Sequence, residues 1–270
     1  MTKRVGWLED DVGYVGGAEM SGNALRTSKP DWAQIVPCEP QYRPPEDIDV
    51  FIIQNQVTYP AYWIEELALA PVVKQIRDPW FAGSAKLRRW LLDNADLLLF
   101  SSPTQVEAFD YPFDNRYEVI PVPLDLQPFR DAAKPEGERA GNVFVGRCDV
   151  FKGAHAAVDW ALREMQPLDL FGVRGFGGGK FMDFGELPDV IRFHGQVPYS
   201  AIPEVLGGAK RFVFFPSWPE AFGRSVAEAW AAGCKLLVEG RVGALDWIHN
   251  DPDALERGTE MFWGAVESVL

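Results

Sequence analysis

Cysteine and long apolar segments are the features that this chain of 270 residues most clearly lacks. Its three cysteines, Cys38, Cys148 and Cys234, lie far apart and none belongs to a CxxC pair, so neither a disulfide framework nor a zinc site is expected. No run approaches the roughly 18 apolar residues of a membrane-spanning helix, and the N-terminus turns acidic where a signal peptide needs an apolar stretch. The expectation is a cytoplasmic protein without stable membrane insertion.

Positive charge is also scarce. The 26 lysines and arginines are outnumbered by 39 aspartates and glutamates, which leaves a net charge of −13. An acidic chain repels nucleic acid and anionic membranes at long range, so nucleic acid is not expected as a partner. The composition, 47% apolar and 24% charged, is that of an ordinary globular protein and argues against disorder.

The sequence does contain short apolar runs that alternate with helical patterns. Continuous rather than alternating apolarity predicts strands buried on both faces, as in parallel sheets. The strands predicted in the first half are Val5–Leu8, Gln34–Cys38, Val50–Ile53, Val72–Ile76, Leu97–Ser101 and Tyr117–Val122. The strands predicted in the second half are Asn142–Val145, Leu168–Phe171, Val190–His194, Arg211–Phe215 and Lys235–Glu239.

A charged segment without apolar periodicity, residues 131–141, interrupts this alternation and is typical of a linker. The predicted fold class is therefore α/β, with two Rossmann-like domains facing across a cleft and ligands beyond the carboxyl ends of the strands. The predicted domains are residues 1–135 and 136–250. Residues 251–270 are predicted to form a C-terminal helix that could cross back to the first domain.

The strongest functional signal lies in residues 217–233. Gly223 lets the backbone approach a ligand at the start of a predicted helix, where free N–H groups and the positive helix end suit a phosphate. Glu220 and Glu228 flank this turn, and their carboxylates would accept hydrogen bonds from hydroxyl groups. The combination fits a nucleotide sugar. The alternative is that Glu228 merely pairs with Arg224 at i,i+4 and that Glu220 is solvated.

A second signal is the pair Arg147 and Lys152, which follows a predicted strand and precedes a helix. Two fixed cations there could hold a diphosphate and stabilise it as a leaving group, or they could be solvated surface charges. The chain offers no DxD-type pair of carboxylates placed after a strand for a metal–diphosphate bridge. Asp10-Asp11 follows the first predicted strand, but it abuts the loop that contains Gly13, Gly16 and Gly17. Neither a metal site nor a cofactor is therefore expected.

Together these residues resemble the retaining glycosyltransferases of the GT-B fold, family 4 (glycosyl transferases group 1). The matching segments are Gly146-Arg147, Lys152-Gly153, residues 190–195 and Glu220 with Glu228 in the second half, and Gly16-Gly17-Ala18-Glu19 and residues 119–129 in the first. The resemblance implies a GT-B fold. It also implies metal-independent transfer of a sugar from a UDP- or GDP-linked donor to an unidentified acceptor, with retention of anomeric configuration.

The resemblance further implies a role for each site residue. Arg147 and Lys152 would grip the donor diphosphate and Glu220 would bind the sugar, and these three are the predicted catalytic residues. Glu228 would bind the ribose hydroxyls. Further donor contacts are predicted at the main-chain groups of Ala221, Phe222 and Gly223 and at Gly16 and Gly17. The Phe193–Val197 turn, which contains Gly195, would border the nucleobase. The candidates for acceptor contact are Arg77, Asp78 and Glu19.

Two other functions remain open at this point. The three histidines, His155, His194 and His249, all lie in the second half, so a sugar-contacting histidine is missing from the first. This absence motivates a degenerate protein that binds nucleotide sugars without transfer. A sugar-nucleotide epimerase or a phosphorylase on the same fold is the other alternative. The acceptor classes left open are a glycan, a lipid-linked sugar, a protein and a modified DNA base.

Overall fold

A computed structural model describes residues 1–9, 16–44, 47–54, 58–77, 85–109, 111–174, 176–177, 180–181 and 188–270, with the backbone alone at 176–177 and 180–181. The strands are β1 (Lys3–Leu8), β2 (Ala33–Cys38), β3 (Val50–Ile53), β4 (Val72–Gln75), β5 (Leu97–Phe100), β6 (Tyr117–Val119), β7 (Ala140–Val145), β8 (Leu168–Phe171), β9 (Phe176–Gly177), β10 (Lys180–Phe181), β11 (Ile191–Gly195), β12 (Ala209–Phe214) and β13 (Lys235–Val238). The α-helices are α1 (Gly17–Thr27), α2 (Trp63–Leu67), α3 (Ala85–Asn94), α4 (Pro103–Ala108), α5 (Gln127–Asp131), α6 (Ala154–Arg163), α7 (Ile202–Gly208), α8 (Arg224–Ala231), α9 (Gly243–Asn250) and α10 (Ala254–Glu267). Every strand predicted from the sequence overlaps an observed one.

The first compact unit contains residues 1–124 and 249–270. Its sheet has six parallel strands in the order β2-β1-β3-β4-β5-β6. Side chains of β3 show why its apolar run is unbroken. Val50 and Ile52 belong to the core cluster on one face of the sheet, and Phe51 and Ile53 belong to the cluster on the other. The prediction of parallel strands buried on both faces is confirmed.

The C-terminal helix α10 packs within this first unit. Phe262 and Trp263 are buried in the core cluster that also holds Trp7 of β1. The ring centroids of Trp7 and Trp263 lie 6.3 Å apart, and the indole N–H of Trp263 donates to the carbonyl oxygen of Leu25 at 3.1 Å. Because the indole N–H is satisfied, the large ring can be buried without loss of a hydrogen bond.

The second unit, residues 125–248, contains a sheet of five parallel strands in the order β11-β8-β7-β12-β13. Within it β7 and β12 are direct neighbours, with Asn142 paired to Arg211 and Val143 to Phe212. The carboxyl ends of parallel strands meet at one edge of the sheet. The loops that follow β7 and β12, which carry the two predicted motifs, therefore lie side by side.

The boundary after Leu124 lies earlier in the chain than the predicted boundary after residue 135. The reason is that α5 packs within the second unit. Phe129 is buried there, and its ring centroid lies 6.2 Å from that of Tyr199. A few residues later, the N–H of Lys134 donates to the carbonyl oxygen of Gly207 at 3.2 Å. At the other end, the division falls inside α9, after Ile248.

Candidate functional site

The loop 146–153 joins β7 to α6 and lies against the end of β12. Gly153 precedes the helix with a φ of +76°, and a Cβ built there would lie 1.8 Å from the carbonyl oxygen of Phe215. Only glycine allows this approach, because it lacks a Cβ and tolerates positive φ. The N–H of Ser217 donates to the carbonyl oxygen of Phe151 at 3.1 Å. The loops after β7 and β12 are therefore in direct contact.

A buried carboxylate organises this loop, and the sequence reasoning did not assign it a role. Asp149 has 0% of its surface exposed, and it accepts a hydrogen bond from the N–H of Lys152 at 2.7 Å. It also forms an ion pair with the Nε of Arg147. A buried charge is tolerated when it is paired and hydrogen-bonded, as here. The local signal was an Asp three residues before a loop N–H, a common turn arrangement.

Lys152 and Glu220, two of the three predicted catalytic residues, are in direct contact. The Nζ of Lys152 lies 2.5 Å from the Oε2 of Glu220, and the two side chains are 30% and 17% exposed. Two backbone hydrogen bonds fix the position of Glu220. Its N–H donates to the carbonyl oxygen of Arg241 at 2.9 Å, and its carbonyl oxygen accepts from the N–H of Gly243 at 3.0 Å. Neither side chain is a freely solvated charge. Arg147, the third predicted residue, lies on the same loop as Lys152.

Gly223 lies in the turn before α8, at the helix start that the sequence predicted. Gly223 has a φ of +84°, and a Cβ there would lie 2.8 Å from the Cγ1 of Val242. The first N–H groups of α8 have no partner within the helix, and they form its positive end. The carbonyl oxygen of Phe222 accepts from Ala244 at 2.6 Å. The Phe222 carbonyl is therefore already engaged within the protein.

Glu228, the predicted ribose ligand, is buried with 4% of its surface exposed. Its Oε1 accepts a hydrogen bond from the hydroxyl of Tyr199 at 2.7 Å and lies 3.6 Å from the Nε of Arg224. Burial raises the pKa of Glu228, and the charge of Arg224 opposes that rise. The i,i+4 pair considered from the sequence is present, together with a tyrosine that the sequence reasoning missed.

Replacing Glu228 by glutamine is expected to stabilise the ligand-free protein at neutral pH. A raised carboxyl pKa means that the folded state penalises the charged form. That penalty is absent below the ordinary carboxyl pKa and grows as pH rises through the raised value. Glutamine avoids it and can still accept from Tyr199. Urea unfolding of both proteins between about pH 4 and about pH 8 should show an advantage of Glu228→Gln that increases with pH. An advantage that shrinks with pH would show that the Arg224 pair dominates.

The turn predicted to border a nucleobase begins at the end of β11. Gly195 has a φ of +73°, and a Cβ there would meet no atom within 4 Å. Its carbonyl oxygen accepts from the N–H of Gly172 at 2.8 Å, which anchors the strand end. Tyr199 follows four residues later and reaches Glu228 on α8. The structure therefore connects this turn to the predicted ribose ligand.

The first-unit glycines lie at the start of α1. Gly16 precedes the helix and Gly17 is its first residue. The N–H of Gly16 donates to the Oε2 of Glu19 at 2.8 Å. Glu19, predicted to contact an acceptor, thus caps the start of its own helix, where a carboxylate is favoured by the positive helix end.

Arg77, the second acceptor-side candidate, follows β4 at the carboxyl edge of the first sheet. Its Nη1 donates to the carbonyl oxygen of Ala18 at 2.9 Å, and its Nη2 donates to the Oε1 of Gln54 at the end of β3. The guanidinium therefore ties the start of α1 to the sheet edge. Asp78, the third candidate, lies outside the described residues.

Two searches of the described ranges gave no result. No three His, Cys, Asp or Glu side chains among those residues come together in a way that could hold a metal ion. None of the helices described there has both the length and the apolar character to cross a membrane. In the second-unit loops, Asp149 pairs with Arg147 and Glu220 pairs with Lys152.

Comparison by sequence found nothing: no family model matches the chain, and neither does any curated protein. Comparison by structure did find matches. Anabaena HepE, in complex with UDP and glucose, superposes with a TM-score of 0.66 at 16% identity, over 98% of this chain and 90% of that one. WaaB, a lipopolysaccharide outer core galactosyltransferase in its apo form, gives 0.59 at 13% identity, over 99% and 100% of the two chains.

A third match is an α-glucosyltransferase in complex with UDP-glucose and DNA containing an abasic site. It has a TM-score of 0.57 and 12% identity, over 100% of this chain and 95% of that one. Identities this low establish a shared fold rather than a shared activity. The two parallel α/β sheets and these structural neighbours show that the chain has the GT-B fold of glycosyltransferases.

Proposed function

We propose that this protein is a metal-independent glycosyltransferase of family 4 that transfers a sugar from a UDP-linked donor with retention of anomeric configuration. The observation that carries the proposal is the 2.5 Å contact between Lys152 and Glu220. This contact joins two loops that each lead through a left-handed glycine, Gly153 or Gly223, into a helix. A cation, a carboxylate and two helix N-termini thus meet at one sheet edge. UDP is favoured because structural neighbours were solved with UDP or UDP-glucose.

The donor would change the partners of these charged groups. Its diphosphate would replace Glu220 as the partner of Lys152, and Arg147 would bind the same anion while Asp149 holds its Nε. Glu220, released from Lys152, would accept hydrogen bonds from sugar hydroxyls. Both cations would then lie at the leaving group, where negative charge grows in the transition state.

The transfer step follows from this placement. The bond between the anomeric carbon and the diphosphate oxygen breaks, and its electron pair stays on that oxygen, where Lys152 and Arg147 stabilise it. The acceptor hydroxyl forms the new bond to the anomeric carbon on the same face. Its proton passes to the departing diphosphate. The proposal assigns stabilisation of the leaving group to these two cations and to the N-termini of α6 and α8, rather than to a metal ion or a cofactor.

The remaining assignments are also part of this proposal. Glu228 binds the ribose, the turn at Gly195 borders the base, and Gly16 and Gly17 form a loop that closes over the donor. Arg77, Asp78 and Glu19 serve the acceptor, which is a glycan, a lipid-linked sugar, a protein or a modified DNA base. The protein works in the cytoplasm, where its scattered cysteines stay reduced.

The test is donor binding and slow donor hydrolysis by the purified protein in a buffer that contains EDTA. UDP-glucose, UDP-galactose, UDP-N-acetylglucosamine and GDP-mannose are each titrated by calorimetry and then incubated, and released UDP or GDP is measured. We expect one UDP-sugar to bind and to release UDP slowly to water despite EDTA. The Lys210→Ala variant, which lacks an exposed lysine on β12, is the control for substitutions in this unit. It should bind and hydrolyse the donor as the wild type does.

Each other outcome contradicts a definite part of the proposal. Binding without any hydrolysis indicates a nucleotide-sugar-binding protein that does not transfer. A changed sugar that is still attached to its nucleotide indicates an epimerase, and a requirement for inorganic phosphate indicates a phosphorylase. Loss of turnover in EDTA that Mg²⁺ or Mn²⁺ restores contradicts the role of the two cations.

A further inference from the structure

The hydroxyl of Tyr199 occupies one side of the Glu228 carboxylate. It donates to the Oε1 of Glu228 at 2.7 Å, and the Nε of Arg224 lies 3.6 Å from the same oxygen. The Oε1 atom of Glu228 is therefore already hydrogen-bonded before a ligand binds. Its Oε2 is the atom that would accept from a ligand.

The hydroxyl chemistry complements that of the carboxylate. A tyrosine hydroxyl has one hydrogen, which Tyr199 gives to Glu228, and two lone pairs. The side chain of Arg224 also hydrogen-bonds this hydroxyl, which leaves one lone pair to accept from a ligand. A ribose offers two neighbouring donors, its 2′- and 3′-hydroxyls. One carboxylate oxygen and one phenolic oxygen beside it match this pair of donors. Burial also raises the pKa of Tyr199, so its hydroxyl keeps its hydrogen.

Tyr199 is both accessible and held in place. The residue is 43% exposed, whereas Glu228, which its hydroxyl contacts, is 4% exposed. Tyr199 begins a short 3₁₀ helix, Tyr199–Ala201, directly after Pro198. The buried ring of Phe129 packs edge-on against it, with centroids 6.2 Å apart. Such packing fixes the hydroxyl before the ligand arrives, which lowers the ordering cost of binding.

We infer that Tyr199 is a second ribose-binding residue, which accepts one ribose hydroxyl while Glu228 accepts the other, and that the two together select ribonucleotides over deoxyribonucleotides. The inference rests on the proposed function, because it places the nucleotide of the donor at Glu228. It adds a residue on a different element, 29 positions away in sequence.

The test compares UDP, 2′-deoxy-UDP and 3′-deoxy-UDP by calorimetry on the wild type and on Tyr199→Phe. The wild type should bind each deoxy compound about tenfold more weakly than UDP, since each lacks one hydrogen bond. Phenylalanine keeps the ring packing on Phe129 and removes only the hydroxyl. The variant should bind UDP about tenfold more weakly and lose its discrimination against one of the two deoxy compounds while keeping the other. Tyr42→Phe, at an exposed tyrosine of the first unit, is the matched control.

Each contrary outcome has its own meaning. If Tyr199→Phe loses both discriminations to the same extent, Tyr199 only positions Glu228 and the direct contact is refuted. If the wild type tolerates the loss of either hydroxyl, or if the variant behaves like the wild type, the inference is also wrong. A wild type that binds neither UDP nor GDP overturns the proposed function, and the inference with it.

Discussion

Turnover of the Lys152→Ala variant is expected to fall by about a hundredfold or more. Removal of one group that stabilises developing charge costs that much in well-studied sites. The fall in turnover should exceed the loss in donor affinity, because charge on the leaving diphosphate grows between the bound state and the transition state. Donor hydrolysis rates and calorimetric titrations of the same protein measure the two effects separately.

The same substitution should erode the preference for a diphosphate. Each charge-assisted contact is worth about 1.5–3 kcal/mol, or roughly ten- to a hundredfold in affinity. Lys152→Ala and Arg147→Ala should each weaken UDP binding by such a factor and leave UMP binding nearly unchanged. Lys152→Ala should change stability little, because the Lys152–Glu220 pair is partly exposed and such pairs contribute about 1 kcal/mol or less. Arg147→Ala should cost more, on the order of 3 kcal/mol, because it leaves the buried carboxylate of Asp149 without its cation.

Lys210→Ala serves as the control here as well, since Lys210 is an exposed lysine on the same unit. It should leave UDP affinity and turnover as they are. A preference for UDP over UMP that survives both Lys152→Ala and Arg147→Ala would move the phosphate site to another loop of the second unit.

The strands were predictable because their signal is local. In β3 and β5 every residue is buried, since alternate side chains enter the core on opposite faces of the sheet. An unbroken run of apolar residues records that environment directly. The unit boundary was not predictable in the same way. It depends on Phe129 packing against Tyr199, a contact between segments far apart in the chain.

In the candidate site, too, features with a local signal were predictable and contacts between distant segments were not. Gly153 and Gly223 were predictable because a glycine between a strand and a helix signals a special backbone conformation. The contact of Lys152 with Glu220 spans 68 positions and depends on β7 and β12 being neighbours. The two motifs suggest that Lys152 and Glu220 could meet, but the pairing of β7 with β12 is what brings them together.

The sequence analysis assigned no role to Asp149 or to Tyr199, and only Asp149 has a local signal. Asp149 accepts a backbone N–H three residues later, so its role had a local signal that a closer reading could find. Tyr199 reaches Glu228 across 29 positions, from the turn after β11 to the middle of α8, and no pattern in either segment indicates the contact.

Gly153→Ala is expected to destabilise the second unit on the order of 3 kcal/mol, a large share of the total stability of a typical domain. Two costs add. A residue with a Cβ in the left-handed region costs about 1–2 kcal/mol, and a methyl group forced into packed structure costs about 1–3 kcal/mol. The second cost applies here because the new Cβ would lie 1.8 Å from the carbonyl oxygen of Phe215, where backbone has to move. Urea unfolding can be followed by tryptophan fluorescence, to which Trp160 contributes from α6, with its ring 6.4 Å from that of Phe215.

Gly141→Ala separates the two costs. Gly141 has a φ of +70°, close to the +76° of Gly153, but a Cβ there would meet no atom within 4 Å. The free energy of unfolding of Gly141→Ala should fall only by the conformational cost of a Cβ in the left-handed region, about 1–2 kcal/mol. The difference between the two variants therefore measures how closely the loop 146–153 lies on the end of β12. Because Lys152 directly precedes Gly153, that same displacement should weaken UDP binding in Gly153→Ala and leave it intact in Gly141→Ala. Equal losses of stability in the two variants would show that the close approach of the loop to Phe215 contributes nothing to the fold.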